Sequence, residues 1–201
     1  MSKERLGAFM DAVIAIVMTI LVLELEKPAA PTLSAFWGLR INFAAYALSF
    51  LWLAALWTSL HNAWHVIEKI SGRTVWLSMG LLFFSSLFPY ATSLVSTYFG
   101  SRVVQGFYGV IVIATTVMLL FIYKSLEKDN PLESAVKYMQ AVSRFLMMDL
   151  MIKVAGMIAG VLFWPPFVSI GVLAAAIFIM TVRKGSAGYG VIDKTGSRHA
   201  K

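Results

Sequence analysis

Long stretches of apolar residues are the feature that most constrains the fold of this chain. A helix that spans the hydrocarbon core of a bilayer needs about 20 consecutive, mostly apolar residues. Six stretches of the sequence approach or meet this length, and four of them contain no charged residue at all. They cover residues 6–25, 41–60, 74–100, 103–123, 138–163 and 167–182. The sequence therefore predicts an all-α membrane protein with six transmembrane helices.

The composition agrees with a bilayer as the solvent. The chain of 201 residues is 59% hydrophobic and 13% charged, whereas soluble domains average about 45–50% apolar and about 25% charged residues. The absence of cysteine excludes disulfides and thiolate metal sites. The net charge of +7 does not predict nucleic-acid binding, because the basic residues are scattered over segments between the apolar stretches.

The distribution of Lys and Arg predicts the orientation of the helices, since cytoplasmic loops of membrane proteins are enriched in these residues. One side of the predicted topology collects twelve of them and the other side only three, with Arg144 and Lys153 left inside a span. Both termini are therefore expected in the cytoplasm of a multi-pass cell-membrane protein. We expect one six-helix domain over residues 1–184, with a polar, flexible tail over residues 185–201. Pro165 and Pro166 are expected to end the fifth helix.

The first helix carries unusual polar residues. Asp11 lies inside the apolar stretch, and a carboxylate in that setting is costly enough to indicate a function. It projects about 140° away from Ile16, so we expect it to face neighbouring helices, with Arg5 as its simplest partner and polar groups of helix two nearby. An apolar stripe with one threonine lies elsewhere on the helix, and either packs against protein or serves a function. The stripe consists of Phe9, Ala12, Ile16, Thr19, Ile20 and Leu23.

The start of this helix resembles a known family. The pattern from Arg5 through Phe9 to Asp11 is similar to the Arg-x-x-x-Phe-Ser-Asp motif of the endolysosomal potassium-channel family (transmembrane protein 175) and its bacterial single-repeat homologues. Met10 stands where the family has serine. Two weaker similarities support the match: Trp57 and His61 fit a Trp-x-x-x-His pattern, and residues 86–92 resemble Ser-Leu-x-Pro-Phe-x-Thr.

The resemblance implies a potassium-permeable cation channel that assembles as a homotetramer, with helix one lining a central pore. By position, Ile16 would form a hydrophobic constriction, Thr19 a ring of hydroxyls beside it, and Ile20 and Leu23 its continuation. This constriction would replace a carbonyl selectivity filter. The expected partners are other copies of the chain, the lipid bilayer, and potassium and other monovalent cations, with no cofactor besides the permeant potassium ion and no nucleic acid.

Other polar residues allow two interpretations each. His61 and His65 are four residues apart, which suits either a hydrogen-bond network or metal ligation, and the network is favoured because a third ligand is not evident. Asp149 and Lys153 are also four apart, and they form either a buried structural ion pair or a proton or ion relay. Gly188, Tyr189 and Gly190 lie in the basic tail without a following helix, so they are not expected to form a filter.

Two other functional classes remain open from the sequence alone. A secondary transporter would usually show two repeats with paired broken helices, and a non-conducting membrane scaffold would need no pore. An enzyme is not predicted, since GxSxG, HExxH and phosphate-loop motifs do not occur in the sequence.

Overall fold

The computed structural model describes residues 2–179, and the regular structure of these residues is entirely α-helical. Five segments are long and apolar enough to cross a membrane: α1, α3, α4 together with α5, α6 and α7. They confirm the all-α, multi-pass fold, and the sixth predicted stretch forms the shorter α8. The helices are α1 (Lys3–Leu23), α2 (Leu33–Gly38), α3 (Arg40–Val66), α4 (Gly72–Ser86), α5 (Phe88–Thr97), α6 (Arg102–Asp129), α7 (Glu133–Leu162) and α8 (Phe167–Ile179). The predicted tail over 185–201, with its Gly-Tyr-Gly triplet, lies outside the described residues.

The third predicted span is divided into two helices. Helix α4 ends at Ser86 and α5 begins at Phe88, with Pro89 in the first turn of α5. Proline has no amide hydrogen, so it cannot donate to the carbonyl four residues earlier and the helical ladder breaks there. The Ser86 hydroxyl donates to the Phe83 carbonyl at 2.8 Å. Uniform hydropathy over residues 74–100 concealed this break, although its cause is visible in the sequence.

Helix α1 packs against α3, α4 and α5 through one apolar face. The buried residues recur at spacings of three and four, which places them on a single side of a helix with 3.6 residues per turn. Met10 belongs to this face and is fully buried, so its thioether adds apolar contact where the family pattern has a hydroxyl. The buried residues of α1 are Leu6, Gly7, Met10, Ile14, Val17 and Leu21.

Polar contacts join the helix start of α1 and two interhelical loops to their neighbours at one end of the bundle. Lys3 Nζ donates to the Ile67 carbonyl at 2.6 Å, at the C-terminus of α3. The side-chain oxygen of Asn130, just after α6, accepts hydrogen bonds from the backbone amides of Glu68 and Lys69 at 2.8 and 2.9 Å. A cation at a helix C-terminus is favourable because the unpaired carbonyls there carry partial negative charge. Lys3 and Lys69 therefore lie at the same end, as the charge distribution predicts.

Helices α7 and α8 cross at two glycines. A Cβ atom built on Gly156 would lie 2.9 Å from the Cα of Gly171, a distance that a real side chain does not tolerate. Helix pairs in membranes use small residues in this way, because close backbone approach maximises van der Waals contact where no hydrophobic effect acts. Helix α7 ends at Leu162, just before Pro165 and Pro166, as predicted. The short α2 was not predicted; none of its residues is buried.

We expect Gly156→Ala to destabilise the protein by about 1–3 kcal/mol, because the added methyl group would push two helix backbones apart. The measurement is the free energy of unfolding in detergent. Gly106→Ala is the matched control, since a Cβ there meets no atom within 4 Å and alanine favours the helix. Equal stability of the two variants would contradict the close packing of α7 on α8.

Candidate functional site

The apolar stripe of α1 faces away from its own subunit. Ile16 is 57% exposed and Leu23 is 78% exposed, although both lie in the most apolar helix of the chain. Phe9, Ala12 and Ile20 are exposed on the same side. The opposite side of α1 is packed against the subunit core. Of the two interpretations of the stripe, packing within the subunit is thereby excluded, and the stripe is free to contact something outside the protomer.

Thr19 belongs to the exposed side of α1, between Ile16 and Ile20. Its hydroxyl donates a hydrogen bond of 2.8 Å to the Ile16 carbonyl in the preceding turn of the helix. This bond uses the hydroxyl hydrogen and holds the side chain in one rotamer. The oxygen lone pairs are not used by this bond, so the group is arranged as an acceptor.

Asp11 is held by Trp57 rather than by Arg5. The indole Nε1 of Trp57 donates to Asp11 Oδ1 at 2.8 Å, which links α1 to α3. The expected pairing with Arg5 is wrong within the protomer: no ion pair between them occurs among residues 2–179, where Asp149–Lys153 and Glu133–Lys137 form the ion pairs. Residues six apart on a helix project about 120° apart and lie about 9 Å apart along the axis, so the two side chains diverge.

The hydrogen bond of Asp11 continues into a row of rings on α3. The indole of Trp57 stacks on His61 with centroids 5.0 Å apart, and the Nε2 atoms of His61 and His65 lie 3.1 Å apart. One imidazole therefore donates while the other accepts. The geometry is that of the hydrogen-bond network favoured by the sequence. Within the described residues, no group of three His, Cys, Asp or Glu side chains could hold a metal ion.

Asp149 and Lys153 form a buried ion pair on α7. Lys153 Nζ lies 2.5 Å from Asp149 Oδ2, and both side chains are essentially excluded from the surface. The ammonium also donates to Thr116 Oγ1 at 2.9 Å and lies 4.8 Å from the centre of the Trp52 ring. Two opposite charges in contact are tolerable in an apolar interior, whereas either one alone would be costly. The pair thus connects α7 to α3 and α6.

Some contacts of the bundle were not anticipated from the sequence. Tyr108 and Ser49 form a buried bond of 3.1 Å, and Thr92 donates to Ser49 at 2.7 Å, which joins α3, α5 and α6. Thr92 ends the stretch that resembles the family motif, and this was the one available signal. The partners Trp52 and Thr116 carry no sequence pattern that separates them from other residues of apolar helices.

We expect Trp57→Phe to lower the free energy of unfolding by about 1 kcal/mol, because Asp11 loses the N–H donor that binds its carboxylate. Unfolding in detergent measures this change. Trp76→Phe is the control, since Trp76 is exposed. If both substitutions had the same effect, the bond between Asp11 and Trp57 would not be the anchor of α1.

Residues 5–89 match the family model described as "Endosomal/lysosomal potassium channel TMEM175". A curated potassium channel from Chryseobacterium sp. (strain P1-3) is 37% identical over 97 residues, which cover 48% of this chain and 50% of that one. A curated potassium channel from Streptomyces collinus is 26% identical over 118 residues, covering 55% and 57%. The chain thus matches about half the length of these relatives.

The fold also matches a solved structure. The crystal structure of a lysosomal potassium-selective channel TMEM175 homolog from Chamaesiphon minutus aligns with a TM-score of 0.77 at 20% identity, covering 89% of this chain and 96% of that one. Residues 5–89 therefore match the model of that potassium-channel family, and the described helices have the fold of the bacterial homologue. The long apolar helices identify a multi-pass membrane protein.

Proposed function

We propose that this chain is one subunit of a potassium-permeable cation channel whose pore is lined by α1 from four copies. The observation that carries the proposal is the outward-facing stripe of α1, which lies within the segment that matches the family model. The matched curated relatives are named potassium channels. Copies of α1 around a common axis would cover the stripe and surround a narrow path.

Ile16 is the proposed constriction. Four isoleucine side chains around a narrow axis exclude water, because an apolar ring offers no hydrogen bond to replace those that water would lose. Such a ring blocks ions when it is dry and conducts when it widens enough to wet. The exposure of Ile16 supports this role, since packing among the described residues of the subunit leaves 57% of this residue uncovered.

Thr19 is the proposed acceptor for a partly dehydrated cation. Its hydroxyl hydrogen is directed to the Ile16 carbonyl, so an ion in the pore would meet oxygen lone pairs rather than a hydrogen. Oxygen ligands lower the cost of removing water from the ion. Ile20 and Leu23 continue the apolar lining beyond it in the direction of the C-terminus of α1.

The rotation of α1 decides which side chains reach the axis. Trp57 holds Asp11 on one side of the helix, and Lys3 ties the first turn to the end of α3. A rotation of α1 by one residue, about 100°, would break both bonds and turn the stripe away. The polar bonds at the start of α1 therefore fix the direction in which the apolar middle of the helix faces.

Flux from purified protein in liposomes tests the proposal. A channel produces a rapid potassium diffusion potential without a second ion. A transporter requires a gradient of a coupled species, and a scaffold produces no flux. The mass of the complex in detergent, measured in parallel, distinguishes a tetramer from other assemblies. Flux that depends on a coupled ion, or a monomeric particle, would contradict the proposal.

Ile16→Asn is expected to raise the potassium flux several-fold, because a ring of amides no longer excludes water. The measurement is the initial rate of potassium-driven potential in liposomes at equal protein content. The control is Ile158→Asn on α7, where the isoleucine is 54% exposed against 57% for Ile16. An increase with both variants would mean that a polar residue anywhere on the surface makes the bilayer leak.

Thr19→Val is expected to reduce the preference for potassium over sodium, because it keeps the shape of the side chain and removes its oxygen. The measurement is the reversal potential with potassium on one side of the membrane and sodium on the other. Thr19→Ser retains the hydroxyl and should keep the preference near that of the unmodified protein. A reversal potential unchanged in Thr19→Val would remove Thr19 from the selectivity mechanism.

A further inference from the structure

A partly open cavity of about 340 Å³ lies between α3, α6, α7 and α8. Its lining is largely apolar and includes Leu56, Leu119, Ala141 and Phe145. No residue of α1 lines it, so it is separate from the exposed stripe. Cavities of about 300–1,000 Å³ with apolar walls and a few polar groups are typical sites for small molecules.

The buried ion pair supplies the polar part of this cavity, since Asp149 and Lys153 both line it. Lys153 has three ammonium hydrogens and three neighbours for them. It donates to Asp149 Oδ2 and to Thr116 Oγ1, and its third side faces the Trp52 ring, which attracts a cation through its π-electron face. The lysine is therefore satisfied by protein groups.

The carboxylate of Asp149 is not satisfied in the same way. Its residue is 0% exposed, and among residues 2–179 its Oδ1 atom has no hydrogen-bond partner, in contrast to its Oδ2 atom. A buried polar atom without a partner is costly, and most such atoms in folded proteins are bonded. Asp149 thus lines a largely apolar cavity and carries a buried acceptor atom, Oδ1, that has no partner among these residues.

We propose that this cavity binds an uncharged apolar molecule with one hydroxyl group, and that the hydroxyl donates to Asp149 Oδ1. The charge of the site selects against ions. A protonated amine on Asp149 would lie close to the Lys153 ammonium, and an anion would meet the Asp149 carboxylate. A hydroxyl adds no charge and supplies the one missing hydrogen, while the rest of the molecule contacts the apolar wall.

The same chemistry has two natural sources. One is a bilayer lipid with a free alcohol headgroup, such as a monoacylglycerol, and the other is a small phenol or alcohol that partitions from water. Both present one neutral donor on an apolar body. The binding experiment therefore uses a small probe first and then asks which source displaces it.

The test uses full-length protein in phosphatidylcholine nanodiscs and fluorine NMR. The probe is 4-(trifluoromethyl)phenol, and (trifluoromethyl)benzene is its partner without the hydroxyl. We expect a saturable bound resonance for the phenol that empty nanodiscs lack. Affinities are calculated from the concentration of each compound in the lipid. The phenol should bind at least about tenfold more tightly than the benzene analogue, as a hydrogen bond to a charged acceptor allows. Absence of a bound resonance, or equal affinities, would overturn the proposal.

A cavity-filling variant tests whether the probe binds in this cavity. Ala141→Leu adds three carbon atoms to the cavity wall and should abolish the bound resonance of the phenol. Ala155→Leu on the same helix is the control, because Ala155 is exposed and does not line the cavity. Binding that survives Ala141→Leu unchanged would place the probe elsewhere and overturn the assignment.

A double variant isolates the hydrogen bond. Asp149→Leu combined with Lys153→Met removes the acceptor and its partner charge together, a replacement that folded proteins often tolerate. The tenfold preference for the hydroxyl should then fall to about one, while the benzene analogue still binds. A preference that persists would exclude Asp149 as the acceptor. If the double variant does not fold, the Ala141 and Ala155 variants still decide the proposal.

Displacement identifies the source. Added 1-monooleoylglycerol should displace the phenol from the unmodified protein if a lipid alcohol is the occupant, whereas 4-ethylphenol should do so if it is a small solute. Displacement by one and not the other selects that source within the proposal. Since binding is measured without ion flux, its outcome is independent of whether the protein conducts.

Discussion

The division of α1 into two unlike faces governs the rest of the structure. One face is apolar and enclosed by three neighbouring helices of the same subunit. The other face is also apolar, and the described residues of the subunit leave it exposed. In a bilayer, hydropathy does not orient such a helix, because lipid and protein interior are both apolar. Specific polar bonds must do so, and the bond from Trp57 to Asp11 joins two helices where an unbonded carboxylate would be expensive.

Polar bonds also stabilise the packing elsewhere in the bundle. Many hydroxyl groups in the helices bond either to their own backbone, as Thr115 does to the Ile111 carbonyl, or across helices, as Ser59 does to Tyr123. The two buried charges of α7, Asp149 and Lys153, are paired with each other. With little hydrophobic effect between helices in lipid, these bonds and the close contacts at glycine carry the specificity of packing.

Much of this fold could be predicted from residues that act locally. Stretches of uncharged residues predict helices that span, and Pro165 with Pro166 predicts where α7 ends. The position of Asp11 in an apolar stretch indicated that this residue is important. Its partner could not be predicted from spacing, because Trp57 lies 46 residues away and the contact depends on how α1 and α3 cross. The break before Pro89 was obscured by uniform hydropathy. The cavity beside Asp149 is a property of four helices together, and no pattern along one of them encodes it.

The break between α4 and α5 has a mechanical consequence. Phe88, at the first position of α5, stacks on Trp52 with ring centres 4.8 Å apart, so the joint is filled by aromatic rings instead of being loose. The Lys153 ammonium lies over the same indole ring. Trp52 therefore contacts both α5 and the buried ammonium, so a tilt of α5 against α4 would move Phe88 across the ring that also contacts Lys153.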